Sequence, residues 1–269
     1  MRIKNESQEY ISVGDLSVGF SENIMEPTER LIGETFTLFY KNGKETKLTF
    51  LDIETIKVLT IEGGQEEKHI SSYHAINPRE NIYFIDFIAS YGDTQSISII
   101  LDVEKSIATV ITGILPTKES VSIPILKRAE ESMPLTPVNV YFEHAAVDTL
   151  YTESVAKHEQ TTDLIGKRVQ FEYSGKDVYE HIYINEDKYT WHCISGSEKG
   201  LSDTDTCFYY KIDDNFYLFV WIEKVIPTLG IVLEGLDTLR SYGKIYGYED
   251  YEVGRVSNFP VGSYAKVVK

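Results

Sequence analysis

The sequence predicts an all-β protein built from two copies of one antiparallel module. Three observations carry that expectation. Most of the chain alternates apolar and polar residues with a period of two, in short runs separated by turn residues. The segment LIGETFTLFYKNG at 31–43 returns as LIGKRVQFEYSG at 164–175, so that Leu31 and Leu164 stand 133 residues apart and Tyr40 and Tyr173 do the same. Further on, Asn81-Ile82-Tyr83-Phe84-Ile85 answers Asn215-Phe216-Tyr217-Leu218-Phe219 at an offset of 134, and Ile99-Ile100-Leu101-Asp102 answers Ile231-Val232-Leu233-Glu234 at 132. Matches in one order with small drifts of offset mark a duplicated module whose loops have gained and lost residues.

In the first half, strands are expected at 35–40, 47–53, 55–61, 82–90, 96–102 and 108–114. Asn42-Gly43 is a hairpin turn signal between the first two. In the second half they are expected at 168–173, 178–184, 189–194, 206–212, 216–224, 230–235 and 243–249. Helical patterning is scarce, with one or two turns at LKRAEES (126–132). The chain divides into a first module at 1–115, a linker with an extra strand (136–148) at 116–160, and a second module at 161–269. Short strands with tight turns fit a closed meander barrel or a sandwich. Closure removes exposed strand edges, and about eight strands enclose side chains plus one small ligand.

Composition narrows the function. The 269 residues suit two domains, each able to bury its own core. With 26 Lys+Arg against 42 Asp+Glu the formal charge is −16, which repels phosphate backbones and anionic lipid, so no nucleic-acid or membrane partner is expected. Two cysteines make no disulfide framework, and MRIKNESQEYISVGDLS lacks a signal peptide's apolar core, so a soluble cytoplasmic protein is expected. Nineteen tyrosines suit strands and pockets that need an apolar wall with a polar tip.

Alternation assigns faces in the second module. Val169, Phe171 and Tyr173 share one face, as do Tyr189, Trp191 and Cys193. In FYLFVWIEK, Tyr217, Phe219, Trp221 and Glu223 share a face, and Leu218, Val220 and Ile222 make the other face apolar too, so that strand should be covered on both sides. An inward aromatic face carries Glu223 with it. A carboxyl among aromatics has its pKa raised by desolvation, which tunes it for general acid–base work. The competing expectation places Glu223 in water at the strand end, paired with Lys224.

Metal and nucleophile chemistry find little support. His181, His192 and Cys193 are ligand types, but a period of two puts His192 and Cys193 on opposite faces, and no C-x-x-C or H-E-x-x-H spacing occurs. Cys193 and Cys207 are placed to face each other across a hairpin with Gly200 near its tip, as buried thiols. DTDTC (203–207), with Glu198, is either a cation loop or an acidic solvated loop, the second being favoured. No metal and no cofactor are expected.

The second module resembles the C-terminal domain of the MoaF family, named for molybdenum cofactor biosynthesis. The resemblance rests on YEHIY (179–183), YTWHC (189–193), DTDTCFYYKI (203–212), YLFVWIEKVIPTLGIV (217–232), GKIYGY (243–248) and SNFPVGSYA (257–265). The first module resembles that family's N-terminal domain through LIGETFTLFYKNG and YFIDF. The resemblance covers nearly the whole chain and implies two tandem calycin (lipocalin-like) barrels. More distantly, 171–196 and FVWIE (219–223) look like the phenolic acid decarboxylases, single calycin barrels that need no cofactor. That likeness implies a catalytic carboxylate at Glu223, beside Trp221, and an orienting hydroxyl at Tyr173. Phe171 replaces that family's first tyrosine, and its arginine is absent around Gly200-Leu201, which tells against decarboxylation. In the first module Leu38, Tyr40 and Ala89 stand at the places of Phe171, Tyr173 and Glu223, so a structural or homodimer-forming role is expected there.

The function expected is binding of a small aromatic or phenolic molecule in the second barrel. Phe171, Tyr179, Trp191, Cys193, Tyr209, Phe219 and Trp221 would form the binding set. The alternative is a cofactor-free lyase or isomerase using Glu223, Tyr173 and His181, and the third reading is a structural or regulatory interaction protein.

Overall fold

A computed structural model describes residues 10–89 and 94–268. It divides into two compact units. One takes the described residues of Met25–Pro116 and Val138–Glu159; the other takes those of Met1–Ile24, Thr117–Pro137 and Gln160–Lys269.

The first unit is an antiparallel barrel of β1 (Thr35–Tyr40), β2 (Glu45–Phe50), β3 (Thr55–Glu62), β4 (Gln65–Arg79), β5 (Ile82–Ile88), β6 (Gln95–Asp102), β7 (Ile107–Ile114) and β8 (Asn139–Val147). Each strand pairs with the next, and β8 returns to β1 to close the ring. The strand expected within the linker is therefore the eighth stave of this barrel. Ser90, the last residue of the expected strand 82–90, lies outside the described residues. Leu38, Leu48, Ile56, Ile85 and Leu101 fill the interior, each almost wholly buried.

The second unit repeats the plan. Its eight staves are β10 (Arg168–Glu172), β11 (Val178–Tyr183), β12 (Lys188–Ser195), β13 (Ser202–Asp213), β14 (Phe216–Ile222), β15 (Thr228–Gly235), β16 (Arg240–Tyr248) and β17 (Val256–Val268). Pairing of β17 with β10 and of β12 with β13 completes the circuit, and the short β9 (Glu159–Gln160) flanks β13. Added to this barrel are α1 (Val13–Gly19), before the first barrel in sequence, and α2 (Lys118–Val121) and α3 (Ile125–Glu130), from the connection between β7 and β8. Among the described residues no helix is long and apolar enough to cross a membrane.

The duplication is written into the backbone. Gly33 and Gly166 both adopt a left-handed φ, 82° and 81°, which the turn requires and glycine adopts without Cβ strain. Each donates its N–H at 2.8 Å to the carbonyl ending a strand, Phe50 in one barrel and Tyr183 in the other. The leucines two residues earlier, Leu31 and Leu164, are buried in the respective cores. Asn81 and Asn215 turn with φ of 63° and 53°, and Ser106 and Leu239 with 55° and 52°. The repeated Leu-Ile-Gly thus packs a leucine into the barrel and turns the chain into the first stave.

The assigned faces hold. Val169, Phe171 and Tyr173, then Tyr189, Trp191 and Cys193, then Tyr217, Phe219 and Trp221 all belong to the second barrel's interior core. Leu218, Val220 and Ile222 on the opposite face of β14 are buried as well.

Candidate functional site

The second lumen gathers its aromatic residues because the register of the staves stacks them across strands. His181 on β11 stands opposite Trp191 on β12 and Val169 on β10. Trp221 on β14 stands opposite Gly230 on β15, where a Cβ would lie 2.0 Å from the indole. Gly230 is thus the bare backbone on which Trp221 lies. Phe219 stacks on Trp221 with centroids 5.4 Å apart, and Tyr209 stacks in turn on Phe219 at 5.6 Å.

A cavity of about 40 Å³ remains at one end of this core. Tyr173, Tyr179, His181, Trp191, Trp221 and Glu223 line it, joined by Tyr189, Glu198 and Thr228. Four further candidates, Phe171, Cys193, Tyr209 and Phe219, pack in the same core but do not line it. The volume holds a few waters and falls well short of the roughly 150 Å³ that accommodates benzene. The space is taken by residues 10–20. Phe20 stacks on Tyr173, with centroids 4.1 Å apart and planes within 5°, and meets Tyr179 edge-on at 5.4 Å. Tyr10 meets Trp191 edge-on at 6.0 Å. Asn23 anchors the segment, donating from Nδ2 to the carbonyls of Glu172 and Tyr173 at 3.1 Å each, while its own carbonyl accepts from Arg240. The sequence offers no sign of this occupant, because seven helical residues are too few for a periodicity.

The cavity holds two buried carboxyls, and burial raises the pKa of both. Trp221 donates its indole N–H to Glu223 at 2.8 Å. Burial, and then the nearby Asp205 carboxylate, push the Glu223 carboxyl well above its usual range. Glu198 is raised by burial, although Tyr179 O–H and the backbone N–H of Ile11 donate to its two oxygens at 2.9 and 3.1 Å. His181 is 4% exposed, caged by Phe171, Tyr189, Phe219 and Trp221, and burial lowers its pKa to about 3, so the ring is neutral. Its buried Nδ1 has no hydrogen-bond partner among the described residues. Burial raises the Tyr173 hydroxyl's pKa, reinforced by Glu234 and Glu223.

Three expectations need correction. DTDTC is no solvated loop but part of β13, with Asp205 buried and accepting from Trp191 Nε1 at 3.1 Å. Lys224 binds Asp203 and Asp205 rather than Glu223. Cys193 and Cys207 are free and buried but do not face each other. The hairpin register sets Cys193 against Leu201 and Cys207 against Asp187, whose carbonyls accept from the two cysteine N–H groups. Among the described residues no group of three His, Cys, Asp or Glu is placed to hold a metal ion.

Deeper in the same core lies a carboxyl that sequence reasoning passes over. Glu234, wholly buried, has both oxygens 2.8 Å from the Tyr183 hydroxyl, and burial raises its pKa to about 8.

Fold and site together define a two-barrel, all-β protein whose second lumen is lined by aromatic rings and buried carboxyls. The chain belongs to the MoaF family. The MoaF N-terminal domain matches residues 8–117 and the MoaF C-terminal domain residues 158–269. Protein MoaF of Klebsiella aerogenes is 38% identical over 261 residues, covering 96% of this chain and 95% of that one. A solved chain from Burkholderia vietnamiensis that carries the name beta-lactamase is 9% identical, with a TM-score of 0.34 over 41% of this chain and 100% of its own.

Proposed function

We propose that the second barrel binds a small, planar aromatic or phenolic molecule in its lumen. The observation that carries this reading is the convergence of Tyr173, Trp191, Trp221 and Glu223 on one cavity whose stacking position over Tyr173 is already taken by a ring, that of Phe20. A ligand ring would replace Phe20 there and be gripped at its rim by Tyr179, Glu198 and Glu223. Mainly apolar concave walls with few converging polar groups are the ordinary form of such sites. No lysine or arginine is among the described residues lining the cavity, which favours a neutral ligand over an anionic one.

One observation favours a second reading, a cofactor-free lyase or isomerase. Glu223 carries a raised pKa beside the neutral His181 and the Tyr173 hydroxyl, which suits proton transfer to and from a bound substrate.

The test is thermal stabilisation of the full chain by a panel of phenols, phenolic acids and heteroaromatics. A ligand at about a hundred times its Kd adds about 2.7 kcal/mol to the folded state. Binding that persists in Glu223→Gln while any turnover disappears selects the enzyme; binding with no turnover in either protein selects the carrier. No stabilisation by any panel member, with Phe20→Ala giving the same result, removes both.

A further inference from the structure

The first barrel differs from the second at the positions whose side chains fill the second lumen. At offsets of 133 or 134 residues, Val58 stands for Trp191, Thr46 for Tyr179, Phe87 for Trp221 and Ala89 for Glu223. Each exchange removes volume. The first barrel holds a cavity of about 290 Å³, against about 40 Å³ in the second barrel, where residues 10–20 also fill the lumen. An apolar cavity of roughly 150 Å³ already accepts benzene, so this one has the volume for a substituted ring.

Its chemistry is layered. Val58, Phe87, Ile97 and Val110 supply an apolar belt. Beside it Thr46, Thr60 and Thr112 supply hydroxyls, those of Thr46 and Thr60 lying 3.4 Å apart. His69 lies opposite Val58 in the β3–β4 ladder, its ring 6.2 Å from Phe87. Both of its ring nitrogens are buried and lack a hydrogen-bond partner among the described residues. Burial lowers the His69 pKa, with Glu67 opposing, so the ring is a neutral imidazole carrying one donor and one acceptor. A buried polar group left without a partner is costly, and a hydroxyl-bearing ligand would relieve that cost. Lys44, the lining cation, is held by both oxygens of Glu143 at 2.7 and 2.6 Å, and Glu67 lines the cavity too. An anionic head group would have to break that ion pair.

We propose that the lumen of the first barrel is a second binding site, separate from that of the second barrel, for an uncharged hydroxyl-bearing aromatic molecule, with its ring in the Val58–Phe87–Ile97–Val110 belt and its hydroxyl on His69.

The experiment uses methyl-labelled full-length protein titrated with p-cresol and, separately, 4-methylbenzoate. The proposal expects saturable shifts at the methyls of Val58, Ile97 and Val110. Affinity for the anion should be lower by about tenfold or more, and His69→Leu should weaken p-cresol by about tenfold, the worth of one relieved buried group. Phe87→Trp, which restores the larger ring of the second barrel, should abolish the shifts while the protein keeps its far-ultraviolet dichroism. Shifts confined to Ile226 and Ile245, which line the second lumen, overturn the proposal and leave the other reading standing. So does an absence of shifts at millimolar p-cresol, equal affinity for the anion, or binding unchanged in both variants.

Discussion

Phe20 lies flat on Tyr173, ring centroids 4.1 Å apart and planes within 5°, inside a barrel that neither residue's sequence neighbourhood would join to the other. The contact places in the second lumen a ring donated from near the start of the chain. Phe20 is 4% exposed, so Phe20→Ala removes a buried ring and should lower stability by about 3 kcal/mol in urea unfolding. The same change vacates the stacking position. It should therefore raise the affinity for any aromatic ligand of the second lumen, because such a ligand no longer competes with the protein's own side chain. Loss of stability with unchanged or weaker affinity in calorimetric titration would mean that Phe20 shapes the site rather than occupying it.

Gly230 sets the position of Trp221. Gly230→Ala places a methyl group 2.0 Å from Trp221 Cζ2, against a strand whose other face is also buried. Overpacking of this kind costs about 1–3 kcal/mol. The indole must tilt away and lose its 2.8 Å bond to Glu223. A red shift in tryptophan emission together with a lowered melting temperature is the expected outcome; an unchanged spectrum would show that the β14–β15 pair opens without moving Trp221.

The pH dependence follows from two buried groups of opposite sign. Glu234 has a folded pKa of about 8 against an ordinary 4.5. The neutral acid is favoured in the fold, so its contribution is fully present below about 4.5 and is lost as pH rises towards 8. His181, lowered to about 3 from 6.5, acts the other way: its contribution is present above 6.5 and lost as pH falls towards 3. The two oppose each other between 4.5 and 6.5, and from there to 8 His181 no longer offsets Glu234. Stability should therefore fall by about 2 kcal/mol between about pH 6.5 and 8. Glu234→Gln should flatten that limb, measured by denaturant unfolding at fixed ionic strength. A slope that survives the substitution would assign it to other groups, Glu223 first.

Much of this architecture is legible in the sequence where packing follows local alternation. TFTLFY, with inward Leu38 and Tyr40, and RVQFEY, with inward Val169 and Phe171, are staves because every second residue is apolar. What escapes is decided by distant partners. The first half of β4 is exposed and polar, and its later register shift falls at Pro78, so QEEKHISSYHAINPR carries no strand alternation. β17 is similarly masked by Pro260 and Gly262. Asp205 reads as a solvated acid, yet faces the core because Trp191 and Lys224 both bond to it. Glu198 sits in the β12–β13 hairpin, and only Tyr179 and Ile11, both remote in sequence, fix it in the cavity. The inward set Trp221 and Glu223, by contrast, follows from period two alone.

Entry of an aromatic ligand into the second lumen, between Tyr173 and the indoles, is the step on which the proposed function depends. The chain has two tryptophans, Trp191 and Trp221, and both line that cavity. Intrinsic tryptophan emission is therefore a reporter of this site. Titration of the full chain and of Phe20→Ala with a phenolic panel is predicted to give a saturable quench or spectral shift by at least one member, at lower concentration in the variant. Emission that stays unchanged for every member in both proteins, corrected for absorbance, would contradict ligand entry at this site.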